Sequence, residues 1–134
     1  MNIAIRYYSR GGNTKKVADA IGEALDIKAL DITHPVKADI LFLGASMYAF
    51  TVDKNIKKFV EGLKAEDVKE IVVFSTSASD TSTHKKIAKC LKDKNIKINE
   101  KHLSIPGQFL KMNKGRPNEE DLIKAQEFAK SIIQ

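Results

Sequence analysis

Between the first apolar run of this chain and its first amphipathic stretch lies Ser9-Arg10-Gly11-Gly12-Asn13-Thr14, six residues whose types suit the capture of an anion. Gly11 and Gly12 let the backbone turn sharply and bring its amides close to a ligand. The helix expected to follow adds its unpaired N-terminal N–H groups and the positive end of its dipole. Ser9 and Thr14 supply hydroxyls, and Asn13 supplies an amide or a helix cap. Together they make a compact receptor for a phosphate monoester. An ordinary strand-to-helix turn capped by Asn13 or Thr14 accounts for the same six residues equally well.

Several other chemistries are excluded. The loop lacks the spacing and the Lys-Ser/Thr ending of a nucleotide P-loop, and it does not spell the dinucleotide pattern G-x-G-x-x-G. A phosphate-accepting receiver domain needs acids at the ends of its first and third strands, where this chain has Tyr7-Tyr8-Ser9 and Gly44-Ala45-Ser46. His34, His84 and His102 fall in separate segments without metal-ligand spacing and are expected to be solvated or loop histidines. Cys90 fits the apolar face of a helix and is expected to be a buried, inert thiol. Arg116, within Gly115-Arg116-Pro117, reads first as part of a turn. No Ser/His/Asp set or carboxylate pair suggests hydrolysis.

The elements that must position the loop follow from apolar patterning. Ile3 to Tyr8 reads as a first strand. A helix from Thr14 then places Val17, Ala20, Ile21, Ala24 and Leu25 on one face. Ile27 to Ile32 is a short second strand, closed by His34-Pro35. The continuous apolar runs Ile40–Ala45 and Ile71–Phe74 suit strands covered by helices on both faces. A helix carrying Ile56, Phe59, Val60 and Leu63 separates them, and one carrying Ile87, Cys90 and Leu91 follows. A fifth strand is expected within Ile96–Ile105. A Gly/Pro-marked loop over 106–118 then leads to a last helix bearing Leu122, Ala125, Phe128, Ala129, Ile132 and Ile133. Such alternation predicts an α/β fold with a parallel sheet. In such sheets ligands bind beyond the carboxyl ends of the strands. That rule selects three loops, Ser9–Thr14, Ser46–Asp53 and Thr76–Ser82.

With 134 residues the chain suits one domain, 1–134, and its single cysteine rules out an internal disulfide framework. No signal-peptide or membrane-spanning run is legible, so a cytoplasmic protein is expected. The net charge of +6 is spread over helix lysines interrupted by acids. It is not a basic stripe interleaved with aromatics, so nucleic acid is not the expected partner.

The order Tyr8-Ser9-Arg10-Gly11-Gly12-Asn13-Thr14-Lys15-Lys16-Val17-Ala18 resembles the opening of a flavodoxin, whose phosphate loop reads T/S-x-T-G-x-T. Ser9, Gly12 and Thr14 match it, and Gly11 replaces one hydroxyl. Leu43-Gly44-Ala45-Ser46-Met47-Tyr48 resembles the approach to that family's second flavin loop, and Phe74 to Ser79 resembles the third. Gly107-Gln108-Phe109, Lys114 to Asn118 and Asp121-Leu122 resemble the last loop and helix of its short bacterial and archaeal members. The resemblance implies a doubly wound, five-stranded parallel sheet of order 2-1-3-4-5 in three α/β/α layers, binding FMN noncovalently. It implies that Ser9, Arg10, Gly11, Gly12, Asn13 and Thr14 surround the phosphate. Ser46, Met47, Tyr48, Ala49 and Phe50 would line one face and edge of the ring system. Thr76, Ser77, Ala78, Ser79 and Asp80 would approach its other edge.

Two departures from the family pattern stand out. The third loop has no Tyr or Trp, which leaves Phe109 as a candidate cover for the ring. The second loop has no glycine where a peptide turns over beside the flavin, so positive φ there would strain a side chain. Asp80, if near the ring, would lower its potential; as a turn residue or helix cap it would not. The role implied is electron transfer to redox partner proteins by a monomer or weak dimer, the chain's basic charge suiting partners with an acidic docking surface. An NAD(P)H-dependent quinone oxidoreductase and a flavin-free interaction module are the rival readings.

Overall fold

The computed structural model describes residues 1–48, 51–77, 83–108 and 113–134, with backbone alone for Met47, Tyr48 and Thr51. Strand β1 (Ile3–Tyr7) lies in parallel register between β2 (Leu30–Asp31) and β3 (Ala38–Tyr48). On its far side β3 pairs in parallel with β5 (Val68–Ser77), from Ala38↔Val68 to Ser46↔Thr76. A two-residue strand, β4 (Thr51–Val52), returns antiparallel along the end of β3. Beyond β5 lie β6 (Lys97–Ile98) and β7 (Leu103–Pro106), which share its outer edge, one beside each half. The order β2-β1-β3-β5-β6/β7 is the expected 2-1-3-4-5, with the fifth position divided.

That division has a local cause. Where one strand is expected over Ile96–Ile105, Asn99 folds the chain back. Its Oδ1 accepts the N–H of Lys101 at 2.9 Å, an Asx turn, while its Nδ2 donates to Glu70 Oε2 at 3.0 Å. The second strand is also shorter than Ile27–Ile32, with only Leu30 and Asp31 paired to β1. No helix links it to β3. Arg6 organises that link instead, donating from Nε to His34 O at 3.3 Å and from Nη2 to Pro35 O at 2.6 Å. Its guanidinium is buried, which presses its pKa down, and Asp31 partly counteracts this.

Successive strand residues point to opposite faces of a sheet, and the central strands fill two cores in this way. Val72 and Phe74 of β5 join Ile5, Phe42, Leu103 and Ile105 on one face. There they meet Val17, Ala18 and Ile21 of α1 (Asn13–Leu25) and Ala125 and Ala129 of α4 (Glu119–Ile133). Ile71 and Val73 join Leu41, Leu43 and Ala45 on the other face. Those residues pack under Ile56 and Val60 of α2 (Lys54–Glu61), Ile87 of α3 (Thr83–Cys90) and Leu91 just beyond it. Each face is thus closed by a helix pair, the three-layer arrangement that the apolar runs predict. Cys90 departs from its expected place and is only half-buried.

Gly44 marks the tightest packing near the end of β3. A Cβ there would stand 2.4 Å from the Phe74 ring and 2.9 Å from Thr14 Cγ2. Gly44→Ala should therefore cost about 2 kcal/mol through overpacking, measured by urea denaturation. Arg116 is also accounted for structurally. It pairs with Asp121 through two hydrogen bonds, Nε–Oδ2 at 2.5 Å and Nη2–Oδ1 at 2.7 Å. Asp121 in turn completes a capping box with Asn118 at the start of α4. The Arg116 hydrogen bond, then the Asn118 N–H, hold the Asp121 carboxyl below its ordinary range against the opposing effect of burial. A depressed folded pKa gives stability that is present above the unfolded pKa and lost as pH falls through the folded value. Asp121→Asn should be less stable than the native chain at neutral pH. The gap should narrow as pH falls below about 4, the unfolded Asp value, in acid denaturation followed by circular dichroism.

Candidate functional site

The loop after β1 is shaped by Ser9 and Gly12. Ser9 Oγ accepts the Gly12 N–H at 3.0 Å, and Gly12 has a φ of 92°, in the left-handed region that favours glycine. Gly12 is itself the N-cap of α1, and no side chain caps that helix. The reading of this loop as a turn capped by Asn13 or Thr14 therefore fails. Both are the first residues inside the helix, and their side chains bond elsewhere. The first N–H groups of a helix have no intrahelical acceptor. In α2 the Asp53 side chain meets this need, accepting from Asn55 N at 2.8 Å, and in α4 Asn118 does so. At α1 the amides remain open, and its first turn holds no acid. Above them the Cβ position of Gly11 faces open space, with nothing within 4 Å.

Thr14 turns inward to join the three loops. Its Oγ1 lies 2.7 Å from Ser46 Oγ and 2.7 Å from Thr76 Oγ1, and these two are 3.0 Å apart. All three residues are buried, and each belongs to a different element: α1, β3 and β5. Three hydroxyls in a closed ring can each donate once and accept once, so none is stranded. Two further ties bind the loops. Asn13 Nδ2 donates to Gln108 O at 3.1 Å, reaching the last loop, and Gly107 fits so closely beneath Asn13 that a Cβ would lie 3.0 Å from Nδ2. Arg10 Nη2 stands 2.8 Å from Asp53 Oδ2, joining a half-exposed arginine to a buried carboxylate.

Ser9, Arg10, Gly11, Gly12, Asn13, Thr14, Ser46, Thr76 and Ser77 thus meet at the carboxyl edge of the sheet, beside the switch from β1 to β3. Met47 and Tyr48 belong to β3 and pair with Val52 and Thr51. The segment expected as an irregular loop over Ser46–Asp53 is therefore largely a β-hairpin. Likewise Ser75, Thr76 and Ser77 remain in β5. Ala49, Phe50, Ala78, Ser79, Asp80 and Phe109 lie outside the described residues.

Asp53 is the site-adjacent residue that patterning did not single out, although an Asp just before a helical run is an N-cap signal. His84 and His102, expected as solvated or loop histidines of separate segments, stack with ring centroids 4.4 Å apart and planes 20° from parallel. Burial first, then the neighbouring His84, lowers the pKa of His102. No group of three or more His, Cys, Asp or Glu among the described residues could hold a metal ion.

An open parallel sheet covered by two helix pairs, with a glycine-bent loop beneath an uncapped helix at its switch point, defines a doubly wound binding fold. The chain belongs to the flavodoxin family, since residues 4–113 match the family model described as a flavodoxin domain. It is 32% identical, over 136 aligned positions and 90% of each chain, to an uncharacterized protein of Methanocaldococcus jannaschii. Among solved structures it resembles a flavodoxin from the domain Archaea, with a TM-score of 0.80, 20% identity, and 98% of this chain and 96% of the other covered. Oxidised flavodoxin 2 from Bacillus cereus superimposes with a TM-score of 0.73 at 19% identity, covering 99% and 98%. The rubredoxin oxygen:oxidoreductase of Desulfovibrio gigas gives a TM-score of 0.72 at 14% identity, 97% of this chain covering 34% of that one.

The hydroxyl ring makes a stability prediction. Thr76→Val keeps the shape but removes one member of the ring, leaving a buried polar gap that should cost about 1–2 kcal/mol in urea denaturation. Thr76→Ser should recover most of that loss.

Proposed function

We propose that this chain holds FMN noncovalently at the carboxyl edge of its sheet and carries electrons between partner proteins. The observation that carries this reading is the start of α1. Its amides are open, its first turn is free of acid, and its loop is bent by Gly12. Such a helix start is a ready anion site, and a phosphate monoester fits both its charge and its size. The family membership supports the same reading, as do neighbours described as an oxidised flavodoxin from Bacillus cereus and a two-electron reduced flavodoxin from Megasphaera elsdenii.

In this reading Ser9, Arg10, Gly11, Gly12 and Asn13 surround the phosphate. Thr14, Ser46 and Thr76 act behind them as positioning residues, since their hydroxyls are already bonded to one another. Met47, Tyr48, Ala49 and Phe50 flank one side of the ring system, and 76–80 approach the other. Bound FMN would supply the redox chemistry, while the protein supplies binding, geometry and potential. No helix among the described residues is long and apolar enough to cross a membrane. A reducing cytoplasm suits a chain whose single cysteine cannot form an internal disulfide.

The test is a visible absorption spectrum of the chain after incubation with FMN and desalting. Retained flavin bands are the expected result, and a colourless protein would sink the reading. Rapid bleaching by NAD(P)H alone would assign the chain to the enzymes instead of the carriers. The open space at Gly11 allows a sharper test. Gly11→Thr has room for its side chain and should add one hydroxyl to the phosphate. We expect FMN to bind about tenfold tighter, the ~1.4 kcal/mol of one hydrogen bond, with folding stability little changed. Fluorescence titration measures the difference.

A further inference from the structure

Helices α2 and α3 border a groove of about 550 Å³ whose walls carry Lys54, Lys57, Lys86 and Lys89 against one acid among the described residues, Glu61. Val52 and Cys90 complete its lining. Lys54, Lys57 and Lys89 are exposed and Lys86 half-buried, and none of the four is ion-paired among the described residues. Among the described residues only Lys15, with Asp19 at 2.8 Å, and Lys97, with Glu70 at 3.9 Å, are ion-paired lysines, so what sets these four apart is that they line one groove. Four like charges gathered on two adjacent helices repel one another, and an anionic occupant would relieve that repulsion.

The chemistry of the walls selects the occupant. Lysines are mobile point charges on long stems and lack the planar fork with which arginine grips a single phosphate. Among the described residues the lining has no aromatic ring on which a nucleic-acid base could stack, and Val52 and Cys90 are its only uncharged side chains, few for the usual small-molecule pocket. Scattered carboxylates on a protein surface match such a wall, which would act by steering and orienting the encounter. Val52 also pairs with Met47 across the β3–β4 hairpin, so the groove opens beside the segment assigned to one side of the flavin.

We propose that the α2–α3 groove docks a carboxylate-rich segment of the redox partner. Placement of that segment beside the flavin rests on the function proposed above; occupancy of the groove by carboxylates does not.

Cys90 is the chain's one cysteine and lies in the groove, so it reports occupancy directly. Its rate of alkylation by N-ethylmaleimide, an uncharged reagent, can be followed by intact mass. An oligo-glutamate peptide should slow it at least about threefold at low salt, and high salt should abolish the protection by screening. The double substitution K57E/K86E, on groove positions outside the candidate flavin site, should lose the protection while retaining FMN as the native chain does. The proposal is overturned if oligo-glutamate leaves the native rate unchanged or slows the double variant equally. It is also overturned if oligodeoxythymidylate or anionic vesicles protect Cys90 as well as the peptide does. The measurement needs no flavin, so its failure is distinct from a failure to bind FMN.

Discussion

A ring of three buried hydroxyls holds the carboxyl edge of this protein in register. Thr14, Ser46 and Thr76 come from three elements far apart in sequence, and their oxygens lie within 3.0 Å of one another. An open parallel sheet has no hairpins to hold the ends of its central strands together, and its connecting loops emerge singly. Here side chains add to the backbone pairing at those ends, each hydroxyl finding its donor and an acceptor within the ring. Gly44, one position before Ala45 and beneath Thr14, leaves room for the Phe74 ring that supports the same corner. The loops that reach outward from this corner are thereby anchored at their roots.

The start of α1 shows how a helix N-terminus can be left without a side-chain cap in a folded chain. Two other helices bury or satisfy their first amides with Asp53 and Asn118. The one helix pointing at the switch point has neither, and it is held by its apolar face and by the Thr14 hydroxyl instead. Arg10 bears on the same place. By pairing with Asp53 it ties the outer wall of the loop to the cap of α2, so two neighbouring helix starts are linked through one ion pair.

Most of the architecture was legible in the apolar runs, because Ile40–Ala45 and Ile71–Phe74, alternating with amphipathic helical stretches, suit strands covered on both faces. The ends of the elements were not. Ser46–Tyr48 and Ser75–Ser77 are polar or mixed, yet they remain extended because neighbouring backbone pairs with them, a tertiary effect invisible to local pattern. The glycine-hydroxyl loop was recognisable, but that neither Asn13 nor Thr14 caps the helix depends on where their side chains point, which the sequence does not show. The Arg6 anchor and the His84–His102 stack were beyond reach, since each joins residues that no periodicity relates. Asp53 carried a helix-cap signal, whereas its ion pair with Arg10 depends on three-dimensional proximity alone.

The two margins of the sheet have a consequence of another kind. One margin is β2, only two residues long, and the other is broken between β6 and β7 by the Asn99 turn. Neither presents a long, flat ladder of unpaired backbone groups to a neighbouring molecule. Margins of this kind offer no template for strand addition. The irregularities that made these strands hard to read from the sequence also guard the folded chain against edge-to-edge aggregation.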